Sequence, residues 1–208
     1  MESKIETQTD EQKRMKITLE KISKFSKLLT KNNHYHNYPH ELEVYHAVTR
    51  IGKAEGLSDY QLFILKTGAL VHDLYVSPKR KDNEERTVQI VQIYLPEFGY
   101  TSEETDATSA LVLATKMPQN PTTLMEKVIC DADLDNFGRE DFMEKGEMIR
   151  EELGIPRSLK WYEGALELIR NHKYWTEYQR SFRDYGKLTN ICKLTELVVG
   201  LQCKLDTL

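Results

Sequence analysis

The chain lacks any continuous apolar stretch near the roughly 18 residues that a membrane span needs. Its start, Met1-Glu2-Ser3-Lys4-Ile5-Glu6, lacks the apolar core of a secretion signal. A cytoplasmic protein without a membrane partner is therefore expected. Cysteine is scarce: Cys130, Cys192 and Cys203 are odd in number and form no CxxC pair, which argues against a disulfide framework or a structural zinc knot. Charge of one sign is not in surplus either. Against 33 Asp and Glu stand 29 Lys and Arg, a formal net charge of -4, so there is no general pull toward nucleic acid and any affinity for phosphate must be local. Alternating strand patterns are nearly absent, and internal repeats and low-complexity stretches are missing as well.

What is present is helical periodicity. Met15, Leu19, Ile22, Phe25 and Leu29 recur at spacings of three and four, after a polar start whose residues 1–10 are expected to be flexible. A second helix carries His40, Val44, Ala47, Val48, Ile51 and Ala54 on one side, with Gly56 placed to end it. Ser58 and Gln61 form a capping-box pattern that opens a third helix ending at His72-Asp73. Tyr75 to Lys81, with Pro78, reads as a loop. Asp82 and Glu85 are expected to cap a helix that Pro96 and Gly99 terminate. Further helices are expected from Ser102 to about Thr115, through Leu124, Val128 and Ala132, from Phe142 to Leu153, and from Ser158 to about His172. The expected fold class is an all-α bundle. Its main domain spans 11–185, and a C-terminal helix over 186–208 packs on it.

Chemistry concentrates in three segments. Tyr35-His36-Asn37-Tyr38-Pro39-His40, Ala69-Leu70-Val71-His72-Asp73-Leu74 and Cys130-Asp131-Ala132-Asp133-Leu134-Asp135 supply a His, a His-Asp and an Asp in chain order. Adjacent imidazole and carboxylate donors at a helix end can both turn toward one divalent cation. His40, His72, Asp73 and one downstream Asp offer two nitrogens and two oxygens, a set that suits Mn, Fe, Co, Ni or Zn and, with water in the open positions, Mg. Asp131 and Asp133 compete for the last place, pointing in different directions from one helix end. Phosphoester hydrolysis needs such a cation together with a proton donor for the leaving oxygen.

The ordered set resembles the HD-domain superfamily of metal-dependent phosphohydrolases. Tyr35-His36-Asn37-x-x-His40 followed by His72-Asp73 is similar to the metal site of cyclic-nucleotide phosphodiesterases. The stretch from His34 to roughly Tyr185 resembles predicted bacterial HD phosphohydrolases, with Leu95-Pro96-Glu97-Phe98-Gly99-Tyr100, Ala114-Thr115-Lys116 and Asp131-Ala132-Asp133-Leu134 as further points of likeness. The resemblance implies one divalent metal, Mn or Mg foremost, held by His40, His72, Asp73 and Asp133, with Asp131 as the competing ligand. It also implies that His36 donates the leaving-group proton and that the substrate is a nucleotide or another small phosphomonoester or phosphodiester. Glu84 and Glu85 are candidates to orient metal-bound water, with helix capping an equal explanation for at least one of them, and Lys116 and the loop Lys79-Arg80-Lys81 are candidates to meet phosphate. Trp161, Tyr162, Tyr174 and Trp175 would stack a nucleobase or, at helical spacing, build core.

The pattern departs from the family at Asn83-Glu84-Glu85, where members often place a His before the Glu pair. No His occurs between His72 and His172, which counts against a two-metal site and against di-iron oxidation. The alternative reading is a catalytically idle HD module that binds a nucleotide or a protein partner. A homo-oligomer is compatible with either.

Overall fold

The computed structural model describes residues 9–206, all of them in helices and connecting loops. The elements are α1 (Asp10–Leu29), α2 (Tyr38–Ala54), α3 (Asp59–Val71), α4 (Asn83–Phe98), α5 (Ser102–Ala114), α6 (Leu124–Asp133), a 3₁₀ turn over Asp135–Gly138, α7 (Phe142–Glu152), α8 (Leu159–Asn171) and α9 (Glu177–Asp206). The expected all-α bundle is what forms. Among the described residues no helix is long and apolar enough to cross a membrane.

Local sequence explains most helix starts. Ser58 with Gln61, and likewise Thr9 with Gln12, Thr101 with Glu104 and Thr123 with Glu126, form reciprocal capping boxes that satisfy otherwise orphaned N–H groups. Two expectations about α4 need correction. Asp82 does not cap it, because its carboxylate is taken by Arg80 at 2.6 Å and Arg86 at 3.0 Å, and Glu85 pairs instead with Lys116. Pro96 does not end it: the helix runs on to Phe98 and closes at Gly99 with φ 95°, since a proline in the last turn forfeits a single ladder bond.

The domain boundaries also shift. Of the residues expected to be flexible, 1–8 lie outside the described residues, whereas Thr9 caps α1 and Asp10 begins it. The division at 185/186 falls inside α9, which continues unbroken from Glu177.

Helices α1 to α6 enclose one core, in which Val48, Ile51, Leu65, Ala69, Leu95, Val112, Val128 and Ile129 are fully buried. Each large aliphatic side chain there contributes about 1.5–3 kcal/mol. A second core gathers Phe137, Phe142, Tyr162, Leu166, Ile169, Tyr174 and Leu194 from the 3₁₀ turn and α7 to α9. Buried charge joins the two. Asp135 accepts from Arg50 of α2 at 2.7 Å and from Gln179 and Arg183 of α9 at 2.7 and 2.8 Å. At Gly186 a Cβ would collide with the carbonyl of Gly138, so glycine is what lets α9 pass the 3₁₀ turn this closely. Tyr174 and Tyr162 are core residues of this second region, with Tyr162 donating to Glu147 at 2.7 Å, and Trp161 packs against the same cluster.

Candidate metal centre

Three helix ends deliver the donors. Asn37 caps α2, its Oδ1 accepting from the His40 N–H at 3.3 Å, which sets His40 in the first turn. His72 closes α3 with Asp73 just beyond, and Asp133 is the last residue of α6. One donor atom from each of His40, His72, Asp73 and Asp133 lies within 4.8 Å of all the others. His72 Nε2 is 3.0 Å from Asp73 Oδ2 and 3.4 Å from Asp133 Oδ1, and His40 Nε2 is 3.6 and 3.4 Å from the same two oxygens. Ligands at about 2.1 Å from a transition-metal ion stand roughly 3.0–3.4 Å apart, so three of these four separations match the edges of a coordination polyhedron and the fourth is slightly longer, a spacing that could hold one metal ion.

The tautomer fits a cation. His72 Nδ1 donates to the Ala69 carbonyl at 2.9 Å, which turns the Nε2 lone pair of the neutral ring inward. The Nε2 atoms of both His40 and His72 are buried and have no hydrogen-bond partner. The electrostatics agree. Burial alone would depress the His72 pKa, yet Asp73 and Asp133 hold it well above the usual value. Burial would raise the Asp73 carboxyl, but His72 and His36 bring it down to about 2, and Asp133 is lowered by His40 and His72. Burial lowers His40. Two carboxylates thus wait in a place where positive charge is favoured, whether a proton or a metal.

His36 stands beside this group, its ring perpendicular to that of His40 with centroids 6.0 Å apart. Its Nδ1 donates to Glu152, at the last turn of α7, and the second oxygen of that carboxylate accepts from the Tyr35 and His36 N–H groups at 2.6 and 3.1 Å. Burial would lower the His36 pKa, but Asp73, Glu152 and Asp133 raise it. Sequence reasoning missed Glu152 because no local pattern connects the end of α7 with a loop 116 residues earlier. It also missed Arg139 and Lys145, which share Glu43 at 3.0 and 2.7 Å, one turn beyond His40. Lys145 lies 5.9 Å from the Tyr35 ring, itself packed on His40.

Other nominated residues fall elsewhere. Asp131, the competing ligand, points away from the cluster and accepts from Trp175 N, Thr176 N and Thr176 Oγ1 at 2.7, 2.8 and 2.7 Å. Lys116 is paired with Glu85 at the surface and Glu84 adds its charge to that pair, so neither joins the donor cluster. Arg80 of the basic loop is exposed and bound to Asp82. Asn83 staples the loop, accepting from Ser77 N at 3.1 Å and donating to Ser77 O at 3.3 Å. His34 pairs with Glu151 at the surface and His46 is exposed.

No family model matches the chain, and no protein of curated function is similar to it. Among solved structures it is similar to Bacillus subtilis YpgQ in complex with ADP, at 24% identity over 91% of this chain and 99% of that one, with a TM-score of 0.67. A second YpgQ crystal structure gives 21% identity over 90% and 98%, TM-score 0.67, and a selenomethionine form gives 21% over 91% and 98%, TM-score 0.64. The chain shares its fold with this bacterial protein nearly end to end.

Proposed function

We propose that the chain is a mononuclear metal-dependent phosphohydrolase of the HD type, acting on a nucleotide or another small phosphoester. The observation that carries this reading is the convergence of His40, His72, Asp73 and Asp133 from three helix ends, with two buried imidazole nitrogens unpartnered. The ADP bound to the YpgQ neighbour favours a nucleotide. A divalent ion held by these four residues would supply charge neutralisation and a water of lowered pKa.

The chain's own groups do the rest. His36, fixed through Nδ1 by Glu152, presents Nε2 as the proton donor to the leaving oxygen. Arg139 and Lys145, both paired with Glu43, bring positive charge to the Tyr35 side of the cluster, whereas Lys116 pairs with Glu85 at the surface and Arg80 of the basic loop with Asp82. The idle-module reading rests on Asn83, which serves the loop and not the cluster.

The test has two readouts. Metal analysis after dialysis against Mn should find about one ion per chain, lost in His72→Ala, and a panel of nucleoside mono-, di- and triphosphates with Mn should show turnover that His72→Ala lacks. Absence of metal sinks the centre. Metal without hydrolysis of any phosphoester leaves the centre standing and favours the idle module.

A further inference from the structure

A cavity of about 480 Å³ lies between the α5–α6 loop and the junction of α8 with α9. Three of the residues lining it carry a buried polar atom with no hydrogen-bond partner: Gln119 Nε2, His172 Nε2 and Trp175 Nε1. Unpaired buried donors are costly, and three around one cavity repeat the signature of the metal centre with the opposite polarity.

All three are N–H donors. An indole nitrogen can only donate, and Gln119 presents its amide nitrogen. For His172 the tautomer follows from Lys187, whose ammonium lies 3.4 Å from Nδ1 and also donates to the His172 carbonyl at 2.6 Å. An ammonium has nothing to accept with, so Nδ1 is the acceptor and the proton of the neutral ring sits on Nε2. Burial and Lys187 hold this imidazole down to about 3, which keeps it neutral.

The donors are also fixed in place. The His172 ring meets Phe137 and Tyr174 edge-on at 5.0 and 4.6 Å, and the Trp175 backbone is held by Asp131 at 2.7 Å. Apolar wall comes from Met117 and Leu168, and Lys173 at the exposed rim adds a positive charge. A few converging polar groups on an apolar lining are the usual composition of a small-molecule site.

We propose that this cavity binds a small organic acid, its oxyanion received by the N–H groups of Gln119, His172 and Trp175 and its body by the apolar wall. The site makes no use of the metal ligands and stands whether or not the phosphohydrolase reading does.

The test is an NMR titration of the full ¹⁵N-labelled chain in chelator, following the two indole N–H signals, with Trp161→Phe assigning them. Benzoate should shift the Trp175 signal saturably and leave that of Trp161 in place. The uncharged benzyl alcohol should produce no such shift. Gln119→Met should weaken benzoate about tenfold or more, the effect of losing a hydrogen bond to a charged group. Trp175→Phe, followed by calorimetry, should weaken it to a similar degree without loss of fold. Saturable binding of inorganic phosphate in place of benzoate would keep the oxyanion chemistry and assign it to an inorganic source. The proposal is overturned if neither anion binds, if benzyl alcohol binds as well as benzoate, or if both variants bind benzoate like the parent chain.

Discussion

His72 in the α1–α6 region and His172 in the α7–α9 region are both withdrawn from water with an unpartnered Nε2, yet they are opposite chemical objects. At His72 the far nitrogen donates to a carbonyl, so Nε2 offers a lone pair, and two carboxylates stand around it. At His172 the far nitrogen accepts from Lys187, so Nε2 offers a proton among other N–H donors. The partner on the remote side of the ring decides whether a buried imidazole awaits a cation or an acceptor. Asp131 and Asp133 make the same point for carboxylates. Two residues apart on one helix end, one is saturated by three donors from the α8–α9 junction and the other is turned into the cluster with His40, His72 and Asp73.

The strongest way to break this comparison is to exchange the roles of the two aspartates. Asp133→Asn should abolish metal binding and with it all turnover while leaving the metal-free fold intact. Asp131→Asn should keep the metal and cost about 2–3 kcal/mol of stability, because the new amide sets donors against donors. Metal analysis and urea unfolding of both variants decide it, and loss of metal from Asp131→Asn alone would reverse the assignment.

Next in size is the residue proposed as proton donor. His36→Ala should retain the ion and lower nucleotide turnover by about 10²–10⁴-fold, the usual worth of general acid catalysis. The deficit should shrink for nitrophenyl esters, whose leaving oxygen departs without a proton. Equal turnover on natural nucleotides would remove His36 from the mechanism.

A smaller effect is expected where one region reaches into the other. Glu152→Gln should cost roughly 10–100-fold in turnover with the metal retained, as for other groups that orient an imidazole. Glu152 helps to hold the His36 pKa up, so the alkaline limb of the rate profile should move to lower pH in this variant. An unmoved limb would reduce Glu152 to a staple of the 35–36 backbone.

The smallest test addresses the second region alone. His172 has its pKa depressed in the fold, so the unfolded chain binds the extra proton below about 6.5 and stability is lost as pH falls toward about 3. Between pH 7 and pH 5 the loss should be about 2 kcal/mol, and His172→Phe should remove that dependence. Unfolding midpoints at the two pH values measure it.

How much of this was legible in the chain depended on distance along it. Helix starts were, because a capping box closes within three residues: Ser58 and Gln61 behave as their spacing dictates. Asp82 and Pro96 misled, since a neighbouring arginine outcompeted the capping role and a last-turn proline cost too little to stop the helix. The cluster of His40, His72, Asp73 and Asp133 was legible because each of these side chains sits at a helix end with a recognisable local pattern.

By itself, then, the sequence determined the helical class, most helix boundaries and three of the four donors, His40, His72 and Asp73, all of which are set by interactions between residues a few positions apart. Only the tertiary structure decided between Asp131 and Asp133, attached Glu152 to His36, engaged Lys116 with Glu85 and gathered Gln119, His172 and Trp175 around one cavity. A side chain's direction is fixed by the helix it leaves, but its partner is fixed by how distant helices pack. A buried polar group must take whatever partner that packing brings within 3 Å or so, and no pattern within one segment names it.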